Sequence, residues 1–399
     1  MDFEDTPQEA EFRAGVKTWL AAHAPAHAMP TAAISDAEIV SRARAWQKTL
    51  ADGGYAGILL PKSLGGRGGT MAEALIFDEE EHQHSLPKGP HIGIGLGMAI
   101  PVIGKHGTPA QVQKFVAPTL TGGLTWCQLF SEPSAGSDLA NLRTKAVRDG
   151  EDWIINGQKV WSSWAHEADW GILIARTDPK LPKHKGLTFF VLDMKTPGIE
   201  IRPIKQISGA SDFNETFLTD VRIPDSCRIG AVGDGWACAM TVLMGERLSQ
   251  GGDEGDVIDL IRYAAATPRD TGTALDSTAT RLTLAQAYAE EQGLRNLQSR
   301  LRTQISRGEN PGAMPSMVKL AFAARYQRMA GFAMELRQMA GLATKNDQPT
   351  TNIWHDYIWS TALRIAGGAD EVLRNQIAER VLHMPGEVRT DKNVPFDTL

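Results

Sequence analysis

The spacing of hydrophobic residues divides the chain into three stretches, of which the first reads as helical. Up to about residue 122, apolar positions recur at the three- and four-residue intervals of amphipathic helices. The pattern predicts helices over 9–22, 36–52 and 71–84. Thr108 followed by Pro109 is typical of a helix start, with a hydroxyl N-cap and proline at the first helical position.

The middle stretch has short runs rich in β-branched and aromatic residues, separated by Gly, Pro and Asp. Two such runs, 153–155 and 159–161, flank Asn156-Gly157, a pair typical of tight turns, and predict a β-hairpin. Further strands are predicted at 170–175, 186–192, 199–203 and 214–218. We expect a compact antiparallel barrel or sandwich.

The last stretch returns to long alanine- and leucine-rich segments, for which a four-helix bundle is the natural way of burying the apolar stripes. Helices are predicted over 277–307, 314–339 and 370–382. The predicted fold is therefore α+β, with an N-terminal helical domain (1–122), a central β-domain (123–232) and a C-terminal helical bundle (233–399).

Composition and charge exclude several classes of protein. A net charge of −6 argues against a nucleic-acid surface. Three cysteines without a CxxC pair indicate a reducing compartment. The acidic N-terminus lacks the apolar core of a signal peptide, and the longest apolar stretch, 92–103, is too short to span a bilayer. His82 and His84 cannot converge on a metal from one helix. We expect a cytoplasmic protein with no metal, no nucleic-acid partner and no integral membrane segment.

Glu246 and Arg247 lie in an apolar stretch with helical spacing, Trp236 to Leu248. Glu246 falls on the stripe of Ala239 and Val242, so it is expected at the edge of a buried face. A desolvated carboxylate has a raised pKa, which suits a general base for a weak carbon acid. Taken alone, the pattern favours a surface Glu beside a surface Arg, because structural carboxylates outnumber catalytic ones.

A second informative segment is Gln128–Asp138, which reads Gln-Leu-Phe-Ser-Glu-Pro-Ser-Ala-Gly-Ser-Asp. It has the composition of a strand end running into a turn. The Ser131 and Ser137 hydroxyls and the backbone amides are able to donate hydrogen bonds to a phosphate or to a heteroaromatic edge. A plain surface loop accounts for the same residues.

In these segments the chain resembles the acyl-CoA dehydrogenase family. The resemblance covers nearly the full length and keeps the helical, β and helical order. The matching segments are Ser131-Glu132-Pro133, Ala135-Gly136-Ser137-Asp138, Asn156-Gly-Gln-Lys-x-Trp161, 233–247, 365–380, 61–69 and 104–108.

The resemblance implies FAD, bound between the β-domain and the C-terminal bundle. Phe130 and Ser131 are implied near the flavin ring, and the Ser163 hydroxyl near flavin N5. The implied cofactor-binding residues are Gln128, Leu129, Phe130, Ser131, Gly136, Ser137, Trp161, Ser162, Ser163, Gln338, Ala369 and Glu371.

The implied reaction is the α,β-dehydrogenation of an acyl-CoA thioester to a trans-2-enoyl-CoA, with hydride transfer to flavin N5. In many members the base is a Glu in a C-terminal loop, where this chain has Gly367. In the isovaleryl-CoA dehydrogenase branch the base comes from the helix that matches 235–248, and Glu246 occupies that position. Glu246 is thus implied as the base and Gly367 as a peptide N–H donor. The implied substrate contacts are Ser137, Met244, Arg247 and Gly368.

The family also implies an electron-transfer flavoprotein as acceptor and a homodimer or homotetramer. A family segment that reaches FAD across a subunit interface has no clear match in 261–276, and Ala369 replaces a common Thr, so a heteromer is possible. Two alternatives stay open: a flavin monooxygenase or nitroalkane-oxidase-like enzyme, and a half-site subunit. Straight, branched, aromatic and steroid-derived acyl groups are all compatible with the sequence.

Overall fold

A computed structural model describes most of the chain. The described residues are 5–30, 32, 34–249, 257–306, 309, 312–338, 351–388, 390–391 and 393–399. They fall into two compact units. One comprises residues 1–205, 211–246 and 389–399, and the other comprises residues 206–210 and 247–388.

Six helices open the first unit, and they confirm the helices predicted from spacing. They are α1 (Pro7–His23), α2 (Asp36–Asp52), α3 (Met71–Glu81), α4 (Pro90–Ile94), α5 (Ile100–His106) and α6 (Pro109–Leu120). A π-helical turn, Gly95–Ala99, joins α4 to α5. The Thr108 hydroxyl accepts a hydrogen bond from the amide of Gln111, whose side chain in turn accepts one from the Thr108 amide. This reciprocal cap explains why α6 begins where the sequence predicts.

The β-domain is one eight-stranded sheet in the order β6-β7-β3-β2-β4-β5-β8, with β1 paired to β4. The strands are β1 (Trp126–Leu129), β2 (Lys145–Asp149), β3 (Asp152–Ser163), β4 (Trp170–Arg176), β5 (Leu187–Asp193), β6 (Ile199–Ile204), β7 (Phe213–Pro224) and β8 (Arg228–Ile229). Most neighbours are antiparallel, as expected, but β4 is parallel to both β1 and β2. Those parallel contacts have no signal in the sequence.

The hairpin predicted at Asn156-Gly157 is wrong, because both residues lie inside the continuous strand β3. The turn lies between β2 and β3 instead, where Asp149 faces Asp152 and Gly150 adopts a φ of 63°. Gly157 serves a different purpose, since a Cβ there would lie 2.3 Å from Oγ1 of Thr144. Glycine is needed at this position for close backbone approach rather than for a turn.

The second unit is helical, as predicted. It contains α8 (Val257–Ala266), α9 (Thr278–Ser306), α10 (Met314–Leu336), α11 (Thr351–Ser360) and α12 (Asp370–Arg380). Helix α10 packs against α9, α11 and α12. The buried carboxylate of Glu291 accepts hydrogen bonds from Arg325 (2.7 Å) and from the Val257 amide (3.0 Å), which ties α8, α9 and α10 together.

The last residues of the chain pack in the first unit, which the sequence did not predict. The Phe396 amide donates to the Leu181 carbonyl at 3.1 Å, and the Arg176 guanidinium lies 3.5 Å from the centre of the Phe396 ring. Between β4 and β5, the Lys183 ammonium donates to Asp138 and Asp391. The tail therefore fixes the segment that follows Ser137.

His91 in α4 is fully buried in the first unit, beside the Trp164 ring. Neither of its ring nitrogens has a hydrogen-bond partner among the described residues. Burial, with a smaller contribution from the Arg44 charge, lowers the pKa of His91 to about 4. His91 therefore stays neutral in the folded protein over most of the physiological pH range.

This neutrality predicts an acid-sensitive stability. The pKa of a histidine in the unfolded chain is near 6.5. Above that pH the buried, neutral His91 makes its full contribution to the free energy of unfolding, and this contribution is lost as the pH falls towards 4. Between about pH 7.5 and about pH 5, we expect the free energy of unfolding to fall by roughly 2 kcal/mol less in His91→Phe than in the unsubstituted protein. Denaturant unfolding at both pH values measures this, with the exposed His23→Phe as control. Equal losses in all three proteins would contradict the assignment.

Candidate active site

The segment after β1 presents a turn whose backbone and hydroxyls face outward. Glu132 and Ala135 exchange two backbone hydrogen bonds of 3.0 Å, which close the turn. Ser131 is half-buried, and Gly136 and Ser137 are exposed. A Cβ placed on Gly136 would meet no atom within 4 Å, so the surface beside it is open. The predicted polar loop is thus present and accessible to a ligand.

A bulge in β3 lies directly beside this turn. The pairing of β3 with β7 shifts between Lys159 and Ser162, and the Val160 amide donates to the Ser131 carbonyl at 2.9 Å instead. Trp161 and Trp164 have φ values of 59° and 52°, which are uncommon for residues other than glycine. Backbone strain of this kind concentrates at functional sites.

Within the bulge, neighbouring side chains point in opposite directions. Trp161 is 57% exposed, with its ring edge-on to Phe213, and Ser163 is half-buried. Ser162 is fully buried, 3.4 Å from the Thr216 hydroxyl. Trp161 and Ser163 therefore lie on the accessible side of the strand, whereas Ser162 presents no exposed surface to a ligand.

The three predicted cofactor contacts at the end of β1 differ in exposure: two are buried and one is half-buried. The Leu129 side chain is fully buried, and Phe130 is 4% exposed with its ring edge-on to Phe189. Gln128 is half-buried. Leu129 therefore presents no exposed surface to a ligand, and Phe130 presents little.

A buried ion pair lies behind the loop and was not predicted from the sequence. Lys159 is fully buried, and its ammonium donates to the Glu132 carboxylate at 2.9 Å and to the Phe130 carbonyl at 3.0 Å. Both residues belong to segments that match the family. Their burial depends on the pairing of distant segments, however, and this is not readable from local sequence.

The predicted helix that carries Glu246 is present as α7 (Gly235–Ser249). It packs closely on the π-helical turn, since a Cβ on Gly245 would lie 2.1 Å from the Gly97 carbonyl oxygen. Met244 is 42% exposed. The side chains of Glu246 and Arg247 lie outside the described part of the chain.

The predicted C-terminal loop lies just before α12 and contains two residues in left-handed backbone conformations. Gly367 and Gly368 have φ values of 65° and 101°. The buried Lys319 donates to the Gly368 carbonyl at 2.8 Å and to Asp370 at 3.3 Å. Arg364 donates to the other Asp370 oxygen. Three charged side chains, none of them foreseen from sequence, therefore hold the backbone around Gly367.

The remaining predicted contacts of the second unit lie near helix ends. Gln338 follows α10, is exposed and has a φ of 52°. Ala369 is the N-cap residue of α12, and Glu371 is exposed in the first turn of that helix. Among the described residues, no group of three or more His, Cys, Asp or Glu side chains is placed to hold a metal. No described helix is long and apolar enough to cross a membrane.

Models of three domains of one family match almost the whole chain. Residues 6–123 match the N-terminal domain of acyl-CoA dehydrogenase, 127–221 the middle domain and 233–382 the C-terminal domain. Acyl-CoA dehydrogenase IpdE1 of Mycolicibacterium smegmatis is 37% identical over 402 residues, covering 95% of this chain and 98% of the relative.

Acyl-CoA dehydrogenase FadE34 of Mycobacterium tuberculosis is 42% identical over 342 residues. That match covers 85% of this chain, which spans only 46% of the length of FadE34. Two solved structures, each 27% identical, are also similar over 97% of this chain and 100% of the other. They are the ChsE4–ChsE5 complex from Mycobacterium tuberculosis (TM-score 0.82) and the Tcur3481–Tcur3483 steroid ACAD (TM-score 0.81). The chain belongs to the acyl-CoA dehydrogenase family of FAD-dependent oxidoreductases that act on acyl-CoA.

Proposed function

We propose that the protein binds FAD and converts an acyl-CoA thioester into its trans-2-enoyl-CoA. The observation that supports this most strongly is the direct contact between the turn after β1 and the bulge in β3, the two segments implied to bind the flavin. The Val160 amide donates to the Ser131 carbonyl at 2.9 Å, so the polar loop and the strained bulge form one surface. That surface offers the exposed Trp161 ring, the Ser131 and Ser163 hydroxyls and the exposed residues Gly136 and Ser137. Such donors and a flat apolar ring suit the polar edge and the face of a flavin.

In this proposal the carboxylate of Glu246 takes the α-proton of the thioester as general base. Bound FAD supplies the acceptor for the β-hydride. The negative charge that develops on the thioester oxygen needs preorganised donors, and the peptide N–H of Gly367 is proposed as one of them. Lys319 and Asp370 hold the adjoining backbone rigid, so this donor does not have to reorganise during the reaction.

The purified protein tests the cofactor assignment directly. We expect it to be yellow and to release FAD on denaturation, with about one FAD for each intact site. Release of a different flavin would contradict the cofactor assignment. A colourless protein that takes up no FAD, alone or with an unlike partner chain, would contradict the whole proposal.

Ser163 provides a local test, because it is half-buried on the accessible side of the bulge. Ser163→Ala removes one hydroxyl donor and is expected to slow flavin reduction by roughly tenfold or more, with little loss of stability. Stopped-flow reduction by substrate and a thermal melt measure the two effects. Ser162→Ala is the matched control, since that hydroxyl faces the interior. A reduction rate unchanged in Ser163→Ala would show that Ser163 is only part of the sheet wall.

We further propose that the protein assembles with an unlike subunit and accepts a bulky polycyclic acyl group. The support is its likeness to the ChsE4–ChsE5 complex and to the steroid ACAD. Co-expression with an unlike family member, followed by native mass measurement, tests the assembly. A stable homotetramer that is fully loaded with FAD and does not bind that partner would contradict the proposed assembly.

An electron-transfer flavoprotein is the proposed electron acceptor. Oxidation of the reduced enzyme by such a flavoprotein under anaerobic conditions tests this proposal.

A further inference from the structure

Glu132 and Lys159 are charged residues with no part in the proposed reaction, yet both are buried, Glu132 in the turn after β1 and Lys159 in β3. Lys159 is 0% exposed and Glu132 is 6% exposed. A buried ion pair rarely contributes net stability compared with well-packed apolar residues, because both charges lose their hydration. The presence of an ion pair at this place therefore calls for an explanation other than stability.

The side-chain hydrogen bonds of this pair connect segments that adjoin the proposed cofactor surface. The Lys159 ammonium donates to the Phe130 carbonyl (3.0 Å) and to Glu132 Oε1 (2.9 Å). The Glu132 carboxylate also accepts from the backbone amides of Arg143 (2.6 Å) and Thr144 (2.9 Å). The pair thus connects the end of β1, the segment before β2, and β3.

The position of Lys159 is also the point at which the bulge begins. Ladder pairing of β3 with β7 stops after Lys159 and resumes at Ser162, opposite Asn214. The side-chain amide of Asn214 donates to the Ser162 carbonyl at 3.1 Å on that far side. The strained Trp161 therefore lies between two fixed points, one made by the ion pair and one by Asn214. A strained backbone persists only where its surroundings hold it in this way.

Electrostatics favour the ionised form of Glu132, whereas burial lowers the pKa of Lys159 and the Glu132 charge opposes that shift. Burial alone would raise the pKa of Glu132, but the Lys159 charge and the hydrogen bonds from Thr144, Lys159 and Arg143 hold it below its usual value. The ammonium is accordingly held by a carboxylate on one side and a peptide carbonyl on the other. Both interactions are lost together if the cation is removed.

We propose that Lys159 and Glu132 are positioning residues for the cofactor: the pair sets the spacing between the 130–132 backbone and the bulged strand, and so places Ser131, Trp161 and Ser163 for the flavin. The inference rests on the proposed function, because it concerns the same surface. Neither residue is assigned a contact with substrate or cofactor. Displacement of site groups by about 1 Å is sufficient to cost a factor of roughly a hundred in function.

The test compares Lys159→Met, Glu132→Gln and the double variant with Leu20→Ala. Leu20 lies in α1 and is 1% exposed, so Leu20→Ala destabilises the same unit by a cavity away from the loop. The FAD dissociation constant, the flavin reduction potential and the melting temperature are measured for each. All binding measurements are made well below the lowest melting midpoint.

We expect Lys159→Met to weaken FAD binding by roughly tenfold to a hundredfold and to shift the flavin reduction potential. Leu20→Ala, at a comparable loss of melting temperature, should do neither. Lys159→Met leaves the buried Glu132 carboxylate without its cation, and the double variant removes that carboxylate as well. The double variant should therefore melt at a higher temperature than Lys159→Met, while its FAD binding stays weak. Glu132→Gln folds most readily and should show the smaller shift in the same direction.

Two results would overturn the inference. One is FAD affinity and potential in Lys159→Met and Glu132→Gln that change no more than in Leu20→Ala. The other is a double variant that regains FAD affinity together with melting temperature, since the pair would then act only through stability. Failure of the proposed function has a different signature, in which the unsubstituted protein itself binds no FAD or is bleached by no acyl-CoA.

Discussion

Glu246→Gln is expected to retain FAD and to bind acyl-CoA, but to lose dehydrogenation by roughly three to four orders of magnitude. The reason is that the amide has no basic oxygen of suitable pKa to accept the α-proton, whereas its size and polarity match the carboxylate. Anaerobic single-turnover reduction of the flavin measures the chemical step without product release. Binding of acyl-CoA is followed separately, from the perturbation of the flavin spectrum.

The matched control is Glu11→Gln, which changes an exposed carboxylate in α1 and should react like the unsubstituted protein. If Glu246→Gln reduced its flavin at the control rate, Glu246 would not be the base. Loss of FAD from Glu246→Gln would instead indicate that the residue supports the structure around the cofactor. Only a selective loss of the chemical step agrees with a general base.

Lys319→Met is expected to lower the free energy of unfolding by about 3–5 kcal/mol. Lys319 is 4% exposed and Asp370 is 2% exposed, so the substitution leaves a buried carboxylate with one cation fewer. It also leaves the Gly368 carbonyl without its 2.8 Å donor. Both losses occur in the loop that contains Gly367, so the chemical step should slow as well.

Denaturant unfolding measures the stability change, with Arg262→Met as the matched control. Arg262 also donates to an aspartate, Asp259, at 2.9 Å, but the two side chains are 75% and 73% exposed. An exposed pair is screened by water, so the control should change stability by no more than about 1 kcal/mol. Equal effects of Lys319→Met and Arg262→Met would show that the buried network does not hold the loop.

Local signals in the sequence predicted the elements whose causes are themselves local. The reciprocal cap of Thr108 and the helical spacing of 36–52 depend on residues three or four positions apart, and both predictions are confirmed. Family membership and the helical, β and helical order are also confirmed. They were predictable because several motifs occur in the family's order along the chain. The hairpin predicted at Asn156-Gly157 was wrong because Gly157 is required by the close approach of Thr144, and Thr144 lies beside it only after the strands have paired.

The parts of the site that escaped prediction are those made by contacts distant in sequence. The bulge at Trp161 arises where the pairing of β3 with β7 is interrupted and β3 bonds to the Ser131 carbonyl instead. The Lys159–Glu132 ion pair likewise forms only when β3 and the turn after β1 are in contact. Likewise, the sequence names Gly367 but not Lys319, which lies 49 positions before the carbonyl that it holds. Charged residues in such places read as surface residues until the fold buries them.

An anaerobic titration of the purified, FAD-loaded protein with a panel of acyl-CoAs is the most direct test of the central claim. The panel contains straight, branched, aromatic and steroid-derived acyl groups, and the absorbance of oxidised flavin is recorded after each addition. The account predicts that one acyl class bleaches the flavin and yields the trans-2-enoyl-CoA, and that Glu246→Gln abolishes the bleaching. A flavin that stays oxidised with every class, in a protein that binds those acyl-CoAs, would contradict the account.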